Sequence, residues 1–323
     1  SDDSRSCLSF VKLKKCRANC HVCAAFFISK HFKFFKPLWG SQMLGSFRIT
    51  IAQTNSTTSH NTNIALLEEI VAKAVADKSD MIALPEVVGL MDKNYVSIIK
   101  SVKEPALDPF LMACKRLAHF HQIWIQAGTT PVRGPGNKLL NHATLINPFG
   151  EVIANYNKIH LFDALLDGQS PIGESKRYTS GDKAVLVETP YGMMGMTICY
   201  DLRFPQLYRD LAKAGAALCF VPSAFTLPTG KAHWEVLLRA RAIENGMWII
   251  AAAQVGQHED GRETWGHSMV ISPWGEIILD LCGEKPETRT VDIDLRRVEV
   301  SRGQIPSLKN DRPYEISRIY MPR

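Results

Sequence analysis

Three residues of different reactive type stand at or near the ends of apolar runs. Cys199 closes Met194-Gly-Met-Thr-Ile-Cys199, just before the chain turns into a polar, helix-forming segment. Glu86 follows Ile82-Ala-Leu-Pro, and Lys158 lies in Tyr156-Asn-Lys-Ile-His-Leu161. A thiol is a strong nucleophile but is little ionised at neutral pH, so a catalytic cysteine needs a base or an electropositive setting. Glu86 offers the base: an enclosed carboxylate can take the thiol proton and later deliver it to a leaving amine. Lys158 offers positive charge for the thiolate and for the oxyanion formed when a carbonyl is attacked. The backbone N–H of Tyr200, next after the nucleophile, offers a second oxyanion donor. The set describes acyl transfer through a thioester.

Each residue alone also has an ordinary reading. A cysteine at a strand end is usually inert core. Glu86 after Leu-Pro suits a helix start, where a carboxylate favours the dipole. Lys158 suits the end of an exposed strand. Only the three together carry chemistry.

The elements that must position them alternate between strand and helix from residue 47 onward, the pattern of a layered α/β domain. Strands are expected at 47–53, 80–84 and 123–127, with helices over 61–78 and 109–120 between them. A hairpin over 141–147 and 151–156 turns at Pro148-Phe-Gly150. The second half repeats the grammar, with strands at 184–187, 195–198, 218–221 and 248–253 and helices over 207–214 and 234–245. A second hairpin over 268–271 and 276–281 turns at Pro273-Trp-Gly275. Two such halves predict two related sheets packed face to face in one domain.

The 323 residues are 46% hydrophobic and 22% charged, enough to bury a full core. No apolar run reaches the roughly 20 residues of a spanning helix, and the scattered cysteines fit a reducing compartment better than a disulfide framework. The net charge of +6 is local. Residues 1–43 hold eight Lys or Arg against Asp2 and Asp3, so the rest is neutral overall and offers no basic face for nucleic acid. This leader reads either as a targeting segment or as sequence upstream of a start at Met43. Cys16, Cys20 and Cys23 approach a zinc spacing, but a fourth ligand from His21 is poorly placed. The domain itself is expected over 44–315, with a tail at 316–323.

Leu84-Pro-Glu86, Asn157-Lys-Ile-His-Leu-Phe-Asp163, Ile198-Cys-Tyr-Asp-Leu-Arg-Phe-Pro205, Pro222-Ser-Ala-Phe225 and His233-Trp-Glu-Val-Leu-Leu-Arg-Ala-Arg-Ala-Ile-Glu244 resemble, in order and spacing, the nitrilase superfamily of carbon–nitrogen hydrolases. Within it the chain is most similar to the Nit branch, nearest the type acting on deaminated glutathione. The resemblance implies an α/β fold, a four-layer α-β-β-α sandwich, paired into homodimers or larger homo-oligomers. It implies Glu86 as general base, Lys158 as transition-state stabiliser and Cys199 as nucleophile. It also implies a second active-site glutamate, for which Glu174 is the best match and Asp163 and Glu235 compete. The loop Ala164-Leu-Leu-Asp-Gly-Gln169 departs from the family pattern and bears on substrate detail.

Tyr200, Arg203, Phe225 and Thr229 are expected to line the pocket, Arg203 suiting a substrate carboxylate. Arg239 and Arg241 read as structural ion-pair partners, and His160, His233, His258 and His267 as hydrogen-bonding and packing residues. The expected enzyme is a cytoplasmic amidase that needs no metal and no cofactor. It would hydrolyse a linear carboxamide, deaminated glutathione or a similar carboxylate-bearing amide, with no nucleic acid or membrane partner. Omega-amidase and N-carbamoyl amino acid hydrolase activities are the enzymatic alternatives. A scaffold with a vestigial site is the non-enzymatic one.

Overall fold

The computed structural model describes residues 45–165 and 172–321. The basic leader expected at 1–43 and most of the 164–169 loop lie outside them. The first half runs β1 (Ser46–Gln53), α1 (His60–Ala76), β2 (Met81–Ala83), α2 (Tyr95–Ser101), α3 (Pro109–His121), β3 (Trp124–Arg133), β4 (Leu139–Ile146) and β5 (Val152–Asn157). A short connection forms β6 (Asp163–Ala164) and β7 (Ile172–Gly173). The second half runs β8 (Val185–Thr189), β9 (Gly192–Met196), α4 (Pro205–Lys213), β10 (Leu218–Phe220), α5 (Leu227–Asn245), β11 (Trp248–Ala251), β12 (Val255–Gln257), β13 (Glu263–Trp265), β14 (Met269–Ile271) and β15 (Ile277–Asp280). β16 (Glu287–Asp294) and α6 (Arg296–Gln304) follow.

The sheets are ordered β16-β1-β2-β3-β4-β5 and β15-β14-β11-β10-β9-β8. Each has three parallel strands at its centre, β1-β2-β3 in one and β9-β10-β11 in the other. An antiparallel hairpin continues each sheet, and an antiparallel strand closes the opposite edge. The repeat expected from the sequence is therefore present in the topology.

Alternation along the strands sets the layers. Ile49, Ile51, Met81 and Ala83 face inward and pack with Met194 and Met196 of the second sheet. Ala52, Ile82, Leu84 and Ile125 belong to the outer cluster beneath α1 and α3. Helices α4 and α5 cover the second sheet, completing the α-β-β-α order. The C-terminal ends of β1 and β11 meet, where Thr54 N–H donates to Ala253 C=O at 3.3 Å and Val255 N–H to Thr54 C=O at 2.9 Å. Ligands of open α/β sheets collect outside the carboxyl ends of such strands.

The sequence reading starts α5 too late. The helix begins at Leu227, seven residues before the expected Trp234, although it holds Pro228 and Gly230, types that usually interrupt a helix. Pro228 falls in the first turn, where proline costs no hydrogen bond. A Cβ at Gly230 would lie 2.2 Å from Trp265, so glycine there lets the helix seat against β13. The early start carries Thr229 to the pocket. Strand β16 and helices α2 and α6 are also additions. Among the described residues no helix is long and apolar enough to cross a membrane.

Candidate active site

Glu86 and Cys199 each stand in a turn beyond a parallel strand, and both turns use backbone that most residues avoid. Val87 has φ 52° and Cys199 φ 48°. A β-branched residue in the left-handed region is an outlier, and each such position costs on the order of 1–3 kcal/mol that the surroundings must offset. Val87 is held by its N–H on Thr129 Oγ1 at 2.7 Å. Cys199 is held by its N–H on Pro222 C=O at 3.0 Å. Gly128 is required beside the first turn, since a Cβ there would lie 2.0 Å from Pro85 O.

Three charged side chains converge between these turns. Lys158 Nζ donates to Glu86 Oε1 at 3.0 Å and to Glu174 Oε1 and Oε2 at 3.1 and 2.9 Å. Lys158 and Glu86 are almost wholly buried, at 3% and 6% side-chain exposure. Glu86 Oε2 accepts from Ala224 N–H at 2.8 Å, and Glu174 Oε2 from Phe162 N–H at 2.6 Å. Asn141 Nδ2 reaches both acids, Glu86 Oε1 at 2.8 Å and Glu174 Oε1 at 3.4 Å. Of the three acids that competed for the second carboxylate, Glu174 is on the lysine. Asp163 accepts from Ser175 N–H at 3.0 Å and Glu235 pairs with Arg239 at 3.3 Å, both elsewhere.

Burial by itself would push the Lys158 ammonium down. Glu174 and then Glu86 outweigh it and hold its pKa well above the ordinary value, so the lysine stays charged. The Cys199 thiol goes up as well, first through burial and then through the adjacent Glu86 charge, with Lys158 opposing. At neutral pH the thiol therefore needs a base to ionise it, and Glu86 is the nearest carboxylate acting on it. Asp201 N–H makes the first bond of the turn after Cys199, to Ile198 C=O at 3.0 Å. Tyr200 precedes that bond, which frees its N–H for a ligand.

A narrow cleft is lined by Cys199, Tyr200, Arg203, Phe225 and Thr229, together with Phe162, Ala224 and Thr226. All four residues expected to line the pocket are there. The Arg203 guanidinium lies 5.9 Å from the Tyr200 ring centre and 5.6 Å from that of Phe225. Its Nη2 meets His233 Nδ1 at 3.3 Å, and no carboxylate pairs with it among the described residues. Arg241 instead braces the turn that holds Cys199, with Nε and Nη2 on Leu202 C=O at 3.0 and 2.7 Å. The four histidines make the local bonds expected of packing residues, on Asp201, Arg203, Thr264 and Asp280.

Three site residues escape the sequence reading. Asn141 is legible only as the start of a hairpin strand. Asp201, fully buried, accepts from Ile198 N–H at 2.8 Å, Tyr156 Oη at 2.6 Å and His160 N–H at 3.1 Å. Gln254 donates to Glu86 C=O at 2.9 Å and to Ser56 Oγ at 2.8 Å, tying the two sheets at the site. Their one common signal is a polar side chain at the edge of an apolar run.

Two face-to-face sheets enclosing a thiol, a lysine and two carboxylates are the architecture of a carbon–nitrogen hydrolase. Residues 48–302 match the family model described as carbon-nitrogen hydrolase. A deaminated glutathione amidase of Synechocystis is 40% identical over 253 residues, covering 77% of this chain and 92% of that protein. Among solved structures, the Caenorhabditis elegans NitFhit protein superposes with a TM-score of 0.78 at 35% identity, covering 84% of this chain and 66% of that one. Nit3 of Saccharomyces cerevisiae, a member of branch 10 of the nitrilase superfamily, gives a TM-score of 0.74 at 26% identity over 82% and 97%. The chain belongs to the carbon–nitrogen hydrolase family and is an amidase-type hydrolase.

Proposed function

We propose that the protein hydrolyses a small, carboxylate-bearing linear amide, of which deaminated glutathione is the leading case, with Cys199 as nucleophile. The observation that carries this reading is the buried Glu86–Lys158–Glu174 cluster set against the Cys199 thiol. Glu86 takes the thiol proton as sulfur bonds to the amide carbon. Lys158 and Tyr200 N–H stabilise the oxyanion. Collapse breaks the C–N bond while the protonated Glu86 delivers its proton to the departing nitrogen, releasing ammonia and leaving a thioester. Water enters, Glu86 takes its proton, and the second collapse returns that proton to sulfur and frees the carboxylic acid. Glu174 orients Lys158 throughout.

Substrate class rests on two supports: relatives carry the name deaminated glutathione amidase, and the Arg203 guanidinium lines the cleft without an acidic partner among the described residues. A guanidinium with no acidic partner among the described residues, in an aromatic setting, suits a substrate carboxylate. Assembly as a homodimer is supported by apolar side chains left exposed on α5, Val236 and Ile243, the latter beside the turn of the β14–β15 hairpin at Gly275. The free thiols Cys114, Cys199, Cys219 and Cys282 accord with a reducing cytoplasm.

The test is ammonia release from deaminated glutathione, 2-oxoglutaramate, N-carbamoyl amino acids and simple nitriles, with Cys199→Ala in parallel. Turnover of the first that vanishes in the variant supports the reading. Turnover confined to another member moves the substrate class, and turnover that survives Cys199→Ala removes the mechanism.

A further inference from the structure

Asn141 lies on β4, which packs between β3 and β5, and its backbone C=O accepts from Lys158 N–H at 3.0 Å. Its side chain is 3% exposed. Which end of the amide faces the cluster is settled by chemistry: an ionised carboxylate only accepts, so the NH₂ must point at Glu86 and Glu174. The amide oxygen then points elsewhere, buried and without a hydrogen-bond partner. Such an orphan is a standing cost, which an apolar residue would avoid. It is tolerated because the other end of the group does something no apolar residue can.

Two acids and one ammonium leave the cluster with a formal surplus of one negative charge. The carboxylates face the same cation, and nothing in their mutual repulsion holds them together. An uncharged donor reaching both supplies that link without adding a second cation to compete with Lys158. The groups acting on the cluster are Cys199 beside Glu86, Tyr178 beside Glu174, and Arg262 beyond Tyr178. Asn141 is the neutral side chain that touches both acids.

We propose that Asn141 is a positioning residue, whose amide clamps Glu86 and Glu174 to one side of Lys158 and holds Glu86 in place to accept the Cys199 proton. It deepens the reading of this site given above, and its test includes a readout that needs no substrate. Removing a donor from an ionised carboxylate favours the protonated form. In Asn141→Ala, and more strongly in the near-isosteric Asn141→Asp, the acid limb of the kcat/KM profile should move up by about one pH unit or more.

Iodoacetamide labelling at Cys199, followed by mass spectrometry, is the second readout: the Glu86 charge opposes ionisation of the thiol, so Asn141→Ala, which favours the neutral acid, should move the labelling limb down and speed labelling at acid pH. Asn141→Ser, whose hydroxyl is a shorter donor, should fall between Ala and wild type. Limbs that stay in place while Tm drops would make Asn141 a purely structural residue and overturn the proposal. A moved labelling limb in an enzyme that turns over none of the amides would leave the clamp standing and remove the substrate reading instead. If Asn141→Asp fails to fold, the Ala and Ser variants decide.

Discussion

Two buried carboxylate sites lie side by side in this molecule and are built on opposite plans. Asp201 has donors on both oxygens: Tyr156 Oη and Ile198 N–H on one, His160 N–H and His160 Nδ1 on the other. Nδ1 must carry a hydrogen there, because the carboxylate can only accept. The Tyr156 hydroxyl is pushed far up by burial and then by the Asp201 charge, so it remains a donor. Every partner of Asp201 donates to it, and none is a thiol or an ammonium. Through those bonds it ties the Cys199 turn to the segment carrying Lys158. Glu86 and Glu174 instead share one ammonium, and Glu86 abuts a thiol. The difference separates a carboxylate that fixes geometry from one proposed to move protons.

Paired substitutions break this comparison most sharply. Glu86→Gln removes the proposed base, and turnover should fall by about 10²- to 10⁴-fold. It also removes the negative charge that raises the thiol while Lys158 remains. Iodoacetamide labelling of Cys199 at pH 7 should therefore become faster as turnover collapses. Asp201→Asn should lower turnover, labelling and Tm together, since it loosens both the nucleophile's turn and the lysine's strand. The measurements are initial rates, labelling rates and thermal melts on the same preparations. A Glu86→Gln enzyme that loses both reactivities, or an Asp201→Asn enzyme with an unchanged Tm, would erase the distinction.

Lys158 tests how far the reactive plan depends on its cation. In Lys158→Met two buried carboxylates face each other unpaired, and breaking such a pair costs about 3–5 kcal/mol. Turnover should drop by roughly 10²- to 10³-fold through loss of the oxyanion partner. The stability loss should be greatest above neutral pH and should shrink as the pH falls and one acid takes up a proton. Adding Glu174→Gln should restore much of the stability and none of the activity. Equilibrium unfolding at pH 5, 7 and 9 checks the sign.

How legible the two sites were follows from the same difference. Glu86, Lys158 and Cys199 could be found because each interrupts an apolar run with a reactive group, and the run itself reads as a strand. Asp201 lies two residues past the nucleophile, yet nothing local says that its partners would be Tyr156 and His160, more than 40 positions away. Asn141 is ordinary in sequence and gains its meaning only when β4 sets it against two acids. The first turns of α5 hold Pro228 and Gly230, types that usually interrupt a helix, and only the fold shows Trp265 filling the space that a side chain at Gly230 would need. Strand β16 escaped because its alternation, Glu287-Thr-Arg-Thr-Val-Asp-Ile-Asp294, is mostly polar on both faces, as befits a half-exposed edge.

The smallest expected effect belongs to groups that share the interior with the site and take no part in it. His142 and His258 are both 5% exposed, and burial pushes each below the ordinary imidazole value. His142 is fixed between Asn157 Oδ1 at 2.7 Å and Asn155 Oδ1 at 3.1 Å, and His258 by Thr264 Oγ1 at 2.7 Å. The unfolded chain takes up these protons near pH 6.5, before the folded protein does. The stability that the neutral rings contribute is therefore complete above about pH 6.5 and declines below it, by at most about 1.4 kcal/mol per pH unit for each ring. Urea unfolding at pH 7.5, 6.5 and 5.5 should show that decline, and His142→Gln or His258→Gln should each flatten it. If neither does, both rings bind their protons equally well folded and unfolded, and the interior around the site is wetter than its packing implies. If both do while kcat stays within a few-fold, the scaffold's proton chemistry is separate from that of Glu86.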